Sequence, residues 1–308
     1  MSLPTSLLWL SLFAVVGVAI ALDLLAHRRG KLAKSPRAAL VETFAWIALA
    51  LIFDLWIFHV RGRQASVEFL TGYLIEKILS IDNIFLFLVI FRSFQIPART
   101  QHRVLYFGVA AALALRAVFV FAGVALLDHF KFVIYIFGAI LLVTAVRMLL
   151  PRREEAAGPT WITQIARRFL PLSERAEPER FFVRENGKRL ATSLVLALIA
   201  IEATDVIFAA DSVPAVLSIT RDTFIAYSSN VFAILGLRAI YFVMASVLRK
   251  IRFLRQGLAA VLVFTGLKML LSERVPISDG LSLAIIAGIL ALTAIASALS
   301  PTRQPVEP

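Results

Sequence analysis

"IEATDVIFAADSVPAV", residues 201–216, places Glu202, Asp205 and Asp211 in a run made mostly of Ile, Val, Phe and Ala, with Pro214 three residues after the last acid. A charge in apolar surroundings is costly unless it is paired or put to use. The rest of the chain defines those surroundings. Of 308 residues, 60% are hydrophobic, 24 are Phe and only 17% are charged, a composition of the membrane class. Apolar runs of about 20 residues suffice to cross a bilayer as a helix. Working outward from 190–217, such runs fall near 6–26, 38–60, 66–91, 104–127, 130–150, 223–248, 254–271 and 277–299. The expectation is an all-α polytopic membrane protein of about nine spans. It forms a single transmembrane domain over 1–308, with spans one and two in 1–65, a loop at 151–189 and a last span at 277–299.

The net charge of +12 reports orientation. With the N-terminus outside, 23 of the 32 Lys and Arg fall on the cytoplasmic side, including the C-terminus, and five on the other side. That bias is the positive-inside pattern, and it argues against nucleic acid as a partner. The first apolar run lacks a basic leader and a small-residue cleavage site, so it reads as a retained span. There is no Cys, which excludes disulfides and thiolate metal sites. His27, His59, His102 and His129 all fall at span ends or in loops, leaving no imidazole for a midplane site. In the 151–189 loop, Trp161, Ile162, Ile165 and Phe169 recur at near-helical spacing beside Arg167 and Arg168. They predict an interfacial cytoplasmic helix or, alternatively, a docking segment for membrane-protein partners.

The halves of the chain resemble each other. "ALRAVFVF" (114–121) matches "GLRAIYFV" (236–243), aligning Arg116 with Arg238; "TAVRMLL" (144–150) matches "TGLKMLL" (265–271), aligning Arg147 with Lys268. One span earlier, "IEKILSIDNIF" (75–85) separates Glu76 from Asp82 by the spacing that separates Asp205 from Asp211, and Asp82-Asn83 faces Asp211-Ser212. Spans three to five (66–150) therefore resemble spans six to eight (190–271). Each unit holds three spans, so the copies run in opposite directions, as in transporters whose site lies at midplane between inverted repeats.

Charges near the bilayer centre mark pathways, partners or cavities. Glu76, Lys77, Asp82, Arg116, Glu202, Asp205, Asp211 and Arg238 all fall in the middle of their spans, five acids against three bases, an excess suited to one divalent cation. A regular helix scatters these acids, since at 100° per residue Asp82 points about 120° away from Glu76, Ser80 and Asn83. Pro214 cannot donate to the carbonyl of Ala210, so a helix break beside Asp211 is expected to help them converge. The available ligands are all oxygen, including the Asn83 and Asn230 amides, and suit hard cations such as Mg²⁺, Ca²⁺ and Mn²⁺. Arg116, Arg238 and Lys77 are expected to form structural ion pairs. Asp23, Glu42 and Glu68 lie near span ends and read as interfacial; Asp54 lies deeper.

The stretches "EKILSIDNIFLF" (76–87) and "IEATDVIFAADSVPAVLSITRDTFIAYSSNVFAILGLRAIYF" (201–242) resemble the TerC family of integral membrane proteins, which includes the alkali-inducible Alx proteins. The resemblance runs from span one to span nine and weakens in the 151–189 loop and the tail. Thr223 and Ser193 stand where family members often have Pro; neither is a candidate ligand. The resemblance implies a multi-pass transporter of the bacterial inner membrane, associated with Mn²⁺ export and historically with tellurium resistance. It carries Asp23, Glu76, Asp82, Glu202, Asp205 and Asp211 over as site acids, with Asn83, Ser212 and Asn230 as polar companions.

Together these readings predict a non-enzymatic exporter of Mn²⁺ or a similar cation by alternating access. Mn²⁺ is the cargo, with no permanently bound cofactor. No phosphate-binding G-x-x-x-x-G-K motif occurs, so no ATP motor is encoded here. Driving two charges outward costs about 4.6 kcal/mol per ~100 mV, which inward protons could offset. The alternatives are a non-transporting membrane-assembly partner acting through the 151–189 loop, and an oxyanion transporter centred on Arg116 and Arg238.

Overall fold

The computed structural model describes residues 4–28, 36–150, 171, 180–185, 188–247, 253–272, 274–275 and 277–300, apart from some side chains within these, that of Asp82 among them. The helices are α1 (Thr5–Arg28), α2 (Pro36–Arg61), α3 (Arg63–Ser93), α4 (Ala98–His129), α5 (Val133–Leu149), α6 (Ser193–Leu217), α7 (Thr223–Leu235), α8 (Leu237–Val247), α9 (Leu254–Leu270) and α10 (Asp279–Leu299). Between α5 and α6 an antiparallel hairpin pairs β1 (Phe182–Glu185) with β2 (Lys188–Ala191), a short departure from the all-α expectation. The Trp161–Phe169 segment lies outside the described residues.

Among the described residues six helical stretches are long and apolar enough to cross a membrane: α1, α2, α4, α6, the α7–α8 pair and α10. α3 is longer than most of them, but Glu68, Glu76, Lys77 and Asp82 fall within it. α5 and α9 are apolar but only 17 residues each. Helix starts follow local chemistry. The Thr192 side chain accepts from Leu194 N, that of Asp222 from Phe224 and Ile225 N, and that of Ser278 from Leu281 N, satisfying donors that a helix leaves open. Large apolar side chains on the outer faces, such as Leu10, Phe13, Phe44, Ile52, Leu292 and Ile295, are exposed, as lipid-facing positions must be in a bundle.

The interior is built on α3, α4, α6 and α7. α3 packs on α7, α4 on α6, α3 on α6 and α4 on α7, while α5 and α9 form the most extensive helix pair. α7 is buried along its whole length. Phe53, Phe69 and Phe232 cluster beneath α2, with ring centroids 4.6–6.0 Å apart. α10 covers α3 and α9, and α1 packs Leu8 and Leu12 into the core, with the Trp9 ring 5.5 Å from Phe224 and 5.7 Å from Tyr227.

Pro214 does not open α6. The helix runs unbroken from Ser193 to Leu217 with Pro214 inside it, and α3 is likewise continuous past Glu76 and Asn83. Pro214 lies within four residues of the helix end, where the neighbouring turns retain their bonds, including Ser218 N to the Pro214 carbonyl at 2.9 Å. The interruption falls at Gly236, between α7 and α8.

Candidate functional site: a polar cleft between α3, α5 and α6

The intramembrane charges separate into distinct groups. In the first, Arg116 of α4 reaches Glu76 of α3 at 2.6 Å and donates to Asn230 Oδ1 of α7 at 2.7 Å. Asn230 in turn donates to the Ala226 carbonyl at 2.9 Å, and all three side chains are buried. In the second, Arg238 of α8 binds Asp23 of α1 at 2.5 Å and Glu42 of α2 at 2.6 Å. Glu76, Asn230 and Asp23, expected to face a cation, are thus turned toward arginines in this structure.

Lys77 departs from the expected ion pair. Its Nζ donates to the Ala233 carbonyl at 3.1 Å and lies 5.6 Å from the centre of the Tyr73 ring. It reaches the Gly236 interruption, where a Cβ would come within 2.6 Å of the ammonium. The lysine therefore supplies a donor where the α7 helix stops.

Glu202 and Asp205, one turn apart on α6, each keep a buried carboxyl oxygen without a hydrogen-bond partner. Glu202 packs against Gly108 of α4. Asp205 lines, with Arg238, a cavity of only about 10 Å³. Asp54 of α2, a buried acid, is half satisfied by Ser66 at 3.1 Å.

Asp211 lies elsewhere, on a cleft of about 930 Å³ between α3, α4, α5, α6 and α9. Thr144 of α5 donates to Asp211 Oδ1 at 2.6 Å. Asn83, from α3, and Ser212 line the same cleft; both are buried, and the Ser212 hydroxyl has no hydrogen-bond partner. The Asn83 amide likewise makes no hydrogen bond among the described residues. Arg147, one turn beyond Thr144, also lines the cleft. The polar groups sit in a wall of Leu79, Phe119, Ile140, Val143 and Ile207. Among the described side chains the cleft offers one carboxylate, Asp211, with the neutral oxygens of Asn83, Thr144 and Ser212, and no three of His, Asp and Glu are grouped to hold a metal ion.

The family model for the integral membrane protein TerC family matches residues 61–305. The chain belongs to the TerC family. It is 43% identical over 300 residues to a membrane protein of Myxococcus xanthus, covering 97% of this chain and 94% of that protein. It is equally 43% identical over 304 residues to Alx of Escherichia coli K12, described as a candidate membrane-bound redox modulator, covering 96% and 95%. A Rickettsia bellii membrane protein is 33% identical over 293 residues, with 94% and 97% covered. No solved structure matches.

The TerC match spans α3 to α10, so every residue of the cleft lies within it, whereas Asp23 and Glu42 lie outside. Thr144 and Arg147 were not among the residues picked out from the sequence as site candidates. Both sit in the "TAVRMLL" stretch that repeats as "TGLKMLL", and that match of a hydroxyl and a base in an apolar helix was the available signal.

Proposed function

We propose that this TerC protein exports Mn²⁺, or a similar hard divalent cation, by alternating access between two inverted three-span units, α3–α5 and α6–α9, with α7 and α8 forming one span. The observation that carries the reading is the meeting of Asn83 and Ser212 on one cleft beside Asp211. The two residues are equivalent in the sequence repeat, and their polar groups are unpartnered among the described residues. A hard cation that must be released as well as bound suits a site of few carboxylates, neutral oxygens and retained water. The packing supports the duplication. Exchanging the two units turns the α3–α7 contact into the α6–α4 contact and leaves α5–α9, α3–α6 and α4–α7 in place. The basic-residue bias supports an N-terminus outside and a C-terminus in the cytoplasm, and inward protons are the proposed counter-ion.

The oxyanion alternative draws no support here, since Arg116 and Arg238 are both engaged by carboxylates. A redox role, suggested by the description of Alx, would have no thiol to use in these 308 residues. The test is Mn²⁺ efflux in cells or liposomes. Asp211→Asn and Asp82→Asn are expected to abolish efflux while the protein still inserts, and full efflux from both variants would overturn the reading.

A further inference from the structure

We propose that Arg147 is a tethered competitor at the cation site, a guanidinium that shares the cleft with Asp211 and competes with cations for its carboxylate. The inference rests on the cleft being the cation site and assigns a selectivity residue to it.

Three observations carry it. Arg147 lies one turn from Thr144 on α5, and Thr144 holds Asp211 at 2.6 Å; all three line one cleft. The Arg147 guanidinium makes no hydrogen bond or ion pair among the described residues, so it is not committed to another acid. Its counterpart in the repeat, Lys268, is committed: Lys268 donates to Asp279 at 2.9 Å. Asp279 belongs to α10, which lies outside the duplicated units. The two halves thus carry a base at the same helical position, one locked to an acid and the other left facing the cleft.

An arginine keeps its charge at any physiological pH, so the competitor is always present. Among the described residues the guanidinium pairs with no acid, Asp211 included; swung onto Asp211, it would supply as much as a monovalent cation gains there. A divalent cation gains about twice the Coulomb energy at the same distance and can displace it. The arrangement would reject the abundant monovalent ions of the cytoplasm and keep cation binding weak enough for release.

The experiment uses the purified full chain in lipid nanodiscs, titrated with Mn²⁺. Arg147→Gln and Arg147→Met, two neutral replacements of different shape, are expected to bind Mn²⁺ roughly tenfold more tightly than the wild type, and either alone suffices as the test. They are also expected to become sensitive to K⁺, binding Mn²⁺ more weakly in K⁺ than in N-methylglucamine at equal ionic strength, a difference absent in the wild type. Lys268→Gln is expected to leave the affinity unchanged. Unchanged affinity in the neutral Arg147 variants, with binding lost in Asp211→Asn, would make Arg147 an interfacial anchor and overturn the inference while leaving the cation site in place. Mn²⁺ binding retained by Asp211→Asn would overturn the site itself.

Discussion

At the scale of single residues, the intramembrane acids differ in what already holds them. Glu76 is fully buried against Arg116, and Arg116 also bonds Asn230, so three elements meet at one guanidinium. Removing one partner of such a pair leaves the other charge buried and uncompensated, at a cost of about 3–5 kcal/mol. Glu76→Gln and Arg116→Met are therefore each expected to lower the thermal unfolding midpoint in detergent strongly. The double variant should lose clearly less than the two single losses combined, and simple additivity would mean the pair is not coupled. This partition was only half legible in the sequence. The identity of the midplane charges could be read, because charged letters in apolar runs are unmistakable. Their grouping could not, because Glu76 and Asp82, like Asp205 and Asp211, stand six residues apart and so face different directions on a continuous helix. Which direction finds an arginine and which a cleft depends on helices distant in the chain: Arg116 lies 40 positions from Glu76, and Thr144 lies 67 from Asp211.

At the scale of elements, helix locations followed from hydropathy, whereas the interruption did not. Pro214 is the visible breaker in the sequence, yet α6 runs through it to Leu217, as membrane helices with packed neighbours allow. Gly236 has no such prominence. Its position becomes meaningful only once Lys77 arrives from α3 and occupies the space a side chain would need. The tightest helix pairing was equally hidden. In the α5–α9 pair, a Cβ on Gly138 would lie 3.1 Å from the Gly266 carbonyl oxygen, and one on Gly266 would lie 3.0 Å from that of Gly138. Close backbone approach through small residues is how membrane helices gain packing energy. Gly138→Val would also meet Leu270, so the helices must part, at a cost of about 1–3 kcal/mol. A lowered unfolding midpoint in Gly138→Val, with no comparable change in Gly17→Val, where a Cβ meets nothing, is the expected outcome. Equal stability of both variants would show that the close approach contributes nothing.

At the scale of the whole molecule, one end of the bundle is tied by polar contacts and the polar cleft lies below it. Arg61 pairs with Asp222 at the start of α7. Gln64 donates to Asp279 of α10 at 2.5 Å, and Thr220, between α6 and α7, donates to Glu68 of α3 at 2.6 Å. In the orientation proposed above this would be the outer end. The Glu68–Thr220 contact joins the two units whose relative movement the transport reading requires. If the units rock against each other, this contact must open when the cation leaves outward. The absence of Cys from the chain makes the point directly testable. Glu68→Cys with Thr220→Cys, bridged by a short bifunctional thiol reagent that can be cleaved by reduction, is expected to arrest Mn²⁺ efflux, and reduction should restore it. The same reagent on either single variant should leave efflux intact. Undiminished efflux from fully bridged protein would mean that the cation leaves without separation of α3 from the α6–α7 connection, and the alternating movement would have to be sought elsewhere in the bundle.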